Sequence, residues 1–340
     1  MLGAILAVLS AATFALNNAA ARRGVVTGTP AQGMAVTVPV GVVCFLPLAI
    51  LSDAAARLAQ LPRTAAAWMA GVGIVHFVLG RYCNYRANQA AGSNLTAPVI
   101  QLQVVVTLVL AVIVLREPCT VLQAIGGAVM LAGALVTQRQ SSNGMRNGSD
   151  ALAVSRSLQT EPDAADGLGF IPRRATGYLF ASLAALAYGV TPIMARTALQ
   201  HAGIAGAIVG GLIAYGAATA AIAVALLSRP LRRNVMALKR ENVRWFVYSG
   251  VFVALAQGLF YSAVAVAPIM VVAPLMQLSL IFRLVFARQL NPDHEVFGPL
   301  VIIGSVVSIA GACTVSIDTD LILAALAVPE PLASLLRWRI

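Results

Sequence analysis

The residues whose types and spacing could do chemistry fall into small polar groups. Arg81, Asn84, Tyr85 and Asn88 stand at i, i+3, i+4 and i+7, which puts all four on one helical face. Their counterparts later in the chain are Gln257 and Tyr261 alone. Pro98 and Gln101 form Pro-x-x-Gln, and Pro274 and Gln277 form a second copy. A proline inside a helix lacks an N–H and clashes with the preceding turn, so it bends the helix and frees a carbonyl. Gln101 and Gln277 follow on the same side, suited either to line a cavity or to join helices by hydrogen bonds. This is chemistry of recognition. The sequence has no Gly-x-Ser-x-Gly, no HExxH and no P-loop, so neither an enzyme, a cofactor nor an ATP-driven pump is expected.

Single residues add to these groups. Arg283 would be a fixed cation for a carboxylate or phosphate if it faces inward, and a headgroup contact if it sits at the interface. Arg81 and Arg86 carry the same two readings. His76 could titrate near neutral pH, or be hydrogen-bonded between helices. Cys44, Cys83, Cys119 and Cys313 are scattered, which suggests neither a metal site nor a disulfide framework.

The elements that hold these residues follow from composition. The chain has 340 residues, 59% hydrophobic and 10% charged, with a mean hydropathy of +0.86. Soluble domains carry about 25% charged residues. Leu2–Ala21, Gly24–Ser52, Ala87–Leu115, Pro118–Gln138, Ala175–Ala195, Ala202–Ser228, Trp245–Phe282 and Val296–Ile317 contain no Asp, Glu, Lys or Arg. Crossing a bilayer takes roughly 20 such residues. A backbone in hydrocarbon must bond to itself, and the short alternation of a β-barrel is missing, so the spans are helices. The fold class expected is all-α and membrane-embedded. Helices are expected at about 2–21, 31–52, 66–88, 94–115, 119–138, 177–196, 204–227, 245–265, 270–290 and 298–317. The first is read as a retained helix rather than a signal peptide, since no basic segment precedes it. The net charge of +11 resides in loops, where it marks topology and meets anionic lipid; nucleic acid is not an expected partner.

The chain repeats itself. Ala7, Leu9, Ala11 and Arg22 match Ala181, Leu183, Ala185 and Arg196; Tyr85, Ala87 and Ala91 match Tyr261, Ala263 and Ala267; Gly126 and Ala132–Ala134 match Gly304 and Ala310–Ala312. The domains expected are a five-helix repeat at 1–138, a polar linker at 139–176, a second repeat at 177–317 and a tail at 318–340. The tail reads as surface-lying or disordered, its apolar run Leu321–Val328 being too short to cross. An odd number of spans per repeat inverts the second copy, an arrangement recurrent among secondary transporters.

The paired five-helix repeats, the proline near the start of each fourth helix and the Gly/Ala-rich fifth helices resemble the EamA group of the drug/metabolite transporter superfamily. The resemblance implies a carrier that moves a small molecule by alternating access, in a cell membrane. It covers nearly all of residues 1–317. Such repeats often have Gly-Glu after the fourth helix; here the pair is Arg116-Glu117. Small multidrug-resistance relatives place a glutamate in the first helix, and here the first and sixth helices have no acid, which disfavours cationic drugs.

The function expected is secondary transport, in the export direction, of a small metabolite such as an amino acid or other carboxylate. Hydrophobic-drug efflux and flipping of an anionic lipid carrier are the alternatives. The site residues expected are Arg81, Asn84, Tyr85, Gln101, Tyr261, Gln277 and Arg283, with Pro98 and Pro274 as kinks. The partners expected are the small-molecule substrate and membrane lipid, with the protein a monomer or homodimer. Six Lys or Arg fall on the side of the chain ends and fifteen on the side of the linker. That count puts the linker in the cytoplasm; the resemblance implies cytoplasmic chain ends.

Overall fold

The computed structural model describes residues 1–25, 28–51, 61–91, 99–100, 102–133, 135–136, 173–290 and 299–339. Pro98, Gln101 and nearly all of the expected linker lie outside these. The side chains of Gln277 and Arg283 are likewise outside the description. Among the described residues the secondary structure is helical apart from one isolated bridge between Thr120 and Arg339.

In chain order the helices are α1 (Leu2–Val25), α2 (Pro30–Leu51), α3 (Arg63–Val72), a π-helical segment (Gly73–Gly80) and α4 (Arg81–Ala91). Then come α5 (Gln103–Leu115) and α6 (Val121–Gly133). The second half holds α7 (Arg174–Leu199), α8 (Gly203–Ala225), α9 (Arg229–Met236), α10 (Arg240–Val266), α11 (Ile269–Leu275) and α12 (Ser279–Leu290). The chain closes with α13 (Pro299–Ser316), α14 (Thr319–Ala325) and α15 (Glu330–Arg337). Among the described residues six helices are long and apolar enough to cross a membrane: α1, α2, the run from α3 into α4, α7, α8 and α10. α5 and α6 are shorter apolar helices. Pro39 and Pro47 sit inside α2, tolerated because a backbone in hydrocarbon has no alternative to the helix.

Residues 1, 117, 196, 267–270 and 319–338 gather at one end of the bundle, the terminal face. A Cβ on Gly3 would touch Ala267, and Val121 N–H donates to the Trp338 carbonyl at 2.9 Å. The opposite, linker face holds the start of α2, α9 and the start of α10. There Gln32 Nε2 donates to the Asn234 carbonyl at 2.8 Å. The basic stretch at 229–244, expected as a loop, contains the helix α9, with Pro230 in its first turn, where a missing N–H costs nothing. The tail is surface-lying and helical: Asp318 caps α14, and Arg337 joins Asp320 at 2.6 Å and Glu330 at 3.2 Å.

Packing across the two halves is reciprocal. α1 lies along α10, with Ser10 Oγ donating to the Ala256 carbonyl at 2.7 Å and Ser249 Oγ to Asn17 Oδ1 at 2.6 Å. α7 lies along the run from α3 to α4, and Thr191, the repeat counterpart of Asn17, makes the cross-half bond there. α2 packs on α8, where Gly41 lies under the Tyr215 ring and Gly211 under Phe45. α6 crosses α13 with Gly126 against Gly311. The small residues Gly206, Gly210 and Ala214 are buried within this chain.

Candidate functional site

Arg81 opens α4 and is 7% exposed. Its Nη1 donates to Thr37 Oγ1 of α2 at 2.8 Å, and its guanidinium carbon lies 5.3 Å from the centre of the Phe77 ring. Phe77 in turn stacks on Tyr215 of α8 at 4.1 Å. The Thr37 hydroxyl passes its own proton to the Gly33 carbonyl at 2.8 Å. The guanidinium thus has a hydroxyl and an aromatic face, and no carboxylate among the described residues. It does not reach for the headgroups. A cation in this setting is costly and is the kind of residue that marks a substrate or ion path.

One turn nearer the terminal face lies a second polar cluster. His76 Nδ1 meets Thr191 Oγ1 of α7 at 3.1 Å, and its Nε2 meets Gln257 Nε2 of α10 at 2.8 Å. The Gln257 amide donates, so Nε2 accepts and Nδ1 carries the proton toward Thr191. Thr191 then donates to the Tyr188 carbonyl at 3.3 Å. The imidazole is therefore held between helices of both halves. The π-helical segment makes this possible: its wider turn carries His76, and glycines bound it at both ends. A Cβ on Gly73 would fall 2.0 Å from the Ala214 carbonyl, and one on Gly80 would enter the Tyr188 ring. Such segments are frequent at functional sites.

Arg81 and Gln257 occupy equivalent places in the two repeats. Arg81 is ten residues from the linker-face end of α4 and Gln257 nine from the terminal-face end of α10.

The remaining expected residues divide. Tyr261 is 1% exposed, and its hydroxyl has no hydrogen-bond partner among the described residues. Asn84 lies beside the Tyr188 hydroxyl, and Tyr85 is half-buried against the core. Pro274 is buried inside α11, and the chain tightens into a 3₁₀ turn (Met276–Leu278) before α12; Gln277 and Arg283 lie on that turn and on α12. Thr37, His76 and Gln257 were absent from the expected set. The glycines around His76, and the match of Gln257 to Arg81, were the available signals for two of them.

A further linkage closes the terminal face. Glu117, from the Arg116-Glu117 pair, accepts the N–H groups of Ile269 and Met270 at 3.0 Å each. Arg196 Nε lies 3.6 Å from the same carboxylate, and Arg196 Nη1 donates to the Val264 carbonyl. A first-half loop so caps a second-half helix. Beside it, a cavity of about 390 Å³ is lined by Thr64, Trp68, Thr197, Gln200 and His201, among others.

Comparison with known proteins agrees with this architecture. A solved crystal structure is 14% identical, with a TM-score of 0.68 over 96% of this chain and 98% of its own; that likeness is one of fold. No curated protein sequence matches the chain. The EamA-like transporter family matches residues 1–139. Over those residues the chain is similar to the EamA-like transporter family, and its long apolar helices make it a multi-pass membrane protein.

Proposed function

We propose that the protein exports a small metabolite bearing a carboxylate across a cell membrane, by alternating access between two inverted five-helix repeats. The observation that carries this reading is Arg81: a buried cation between the halves, paired with a hydroxyl and a ring, with no acid in the interior of any described span. An anionic group entering from water supplies the missing partner, and Arg binds carboxylates in a two-pronged fashion. The unpartnered Tyr261 hydroxyl is a second donor for the same molecule. Gln101, Gln277 and Arg283 complete the proposed site from the fourth and ninth helices of the repeat pattern.

The test is counterflow in liposomes with pooled amino acids, hydroxy acids, keto acids and phosphorylated metabolites. Saturable uptake of a carboxylate is expected, falling about tenfold or more in Arg81→Gln, since loss of a buried charged contact costs a few kcal/mol. Arg81→Lys should retain part of it. Uptake that is identical in wild type and Arg81→Gln, or confined to uncharged compounds, overturns the reading.

A further inference from the structure

The chain has three histidines, His76, His201 and His294. Among the described residues only His76 lies in the interior of a span, and no Asp or Glu does. It is therefore, among the described residues, the one imidazole or carboxyl group placed to carry a proton through the bundle. Its position is specific as well: Thr191 and Gln257, which hold it, both belong to the second half, while His76 belongs to the first.

We propose that His76 is a proton-binding site, and that the carrier moves its anion and a proton together. The proposal rests on the reading of Arg81 as the anion's partner. In the structure His76 is held neutral by hydrogen bonding, because Nε2 accepts from the Gln257 amide. A proton arriving at Nε2 turns that acceptor into a donor. The Gln257 amide must then rotate to present Oε1, or the contact across the halves must part. Either change falls on the seam along which one half rocks against the other.

Arg81 supplies the coupling. Its backbone N–H donates to the His76 carbonyl, so the two side chains lie one π-turn apart on nearly the same face. A second positive charge beside an uncompensated guanidinium is unfavourable, and an anion bound to Arg81 removes that penalty. By linkage the proton then favours the anion equally. One anion and one proton cross together with no net charge. The other ionisable groups around His76 are phenols and Arg81 itself. Tyr188 of α7 lies at 4.8 Å between ring centres, α10 brings Tyr261, and Tyr215 of α8 stacks on Phe77. α2 has no ionisable side chain but Cys44, so no described carboxylate competes for the proton.

The experiment measures proton movement with pyranine trapped in liposomes, while an imposed gradient of the carboxylate pools drives net flux. About one proton per anion is expected in wild type, and any flux remaining in His76→Gln should carry none. Net flux that builds a membrane potential and moves no proton overturns the proposal while leaving Arg81's role intact. So does a His76→Gln protein with wild-type stoichiometry. Absence of carboxylate flux in folded wild type removes the anion reading and this proposal with it. The wild-type stoichiometry decides the matter even if His76→Gln fails to fold.

Discussion

Arg116 and Glu117 show how much two adjacent residues can do. Arg116 ends α5 with φ 52°, the left-handed conformation that glycine adopts freely and other residues adopt at roughly 1 kcal/mol. The resemblance leads one to expect glycine there, and the backbone has kept its glycine-like shape. Arg116→Gly should therefore stabilise the protein by up to about 1 kcal/mol, read as a higher melting temperature in detergent. Glu117→Gln should act in the opposite sense. It removes the charge facing two helix N–H groups and Arg196, at a cost of about 1–2 kcal/mol. A melting temperature unchanged by Glu117→Gln would mean that the cap contributes little. Glu117 was visible in the sequence as part of a motif. Its partners, Arg196, Ile269 and Met270, follow no local spacing and could come only from the fold.

The elements were legible where hydrophobicity alone decides and illegible where packing does. The expected helix at 66–88 is present over Arg63–Ala91, but an α-helical period gives no hint of the π-helical turn inside it. That turn is selected by contacts with α7 and α8, through the close approaches at Gly80 and Gly73. Gly73→Ala must push α8 away at a backbone carbonyl, where no side chain can yield. We expect it to cost on the order of 1–3 kcal/mol or more and to reduce folded yield in size-exclusion profiles. Gly203 offers a control. Its φ of +62° has open space around a would-be Cβ, so Gly203→Ala should cost only the backbone term of about 1 kcal/mol. If the two alanine variants were equally mild, the tight contact between the π-helical segment and α8 would not be a constraint on stability.

At the scale of the molecule, the reciprocal pairing of α1 with α10 and of α7 with the α3–α4 run gives the two halves a shared seam. Glu117 and Arg196 close it at the terminal face. If one half rocks against the other, residues just inside that closure gain access to water during transport. Ala265, 5% exposed in the structure, is such a position. An Ala265→Cys protein, in a background lacking the four native cysteines, should react slowly with a membrane-impermeant maleimide at rest and faster while the carboxylate pool is being carried. A reaction rate indifferent to substrate would count against rocking at this face.

Composition and uncharged length determined by themselves that this chain is a helical membrane protein, because a backbone in hydrocarbon has one economical way to satisfy its own hydrogen bonds. Internal matching of residues led to the expectation of two halves and of an equivalence between Arg81 and Gln257. The tertiary structure decided what those residues do. Only the packing of α2, α7, α8 and α10 around the α3–α4 run shows that Arg81 turns to Thr37 and Phe77 instead of the headgroups, and that His76 is gripped by the opposite half. The physical reason is that hydrophobicity is additive along a sequence, whereas the partner of a buried polar group is set by which helices touch, at which depth and with which face.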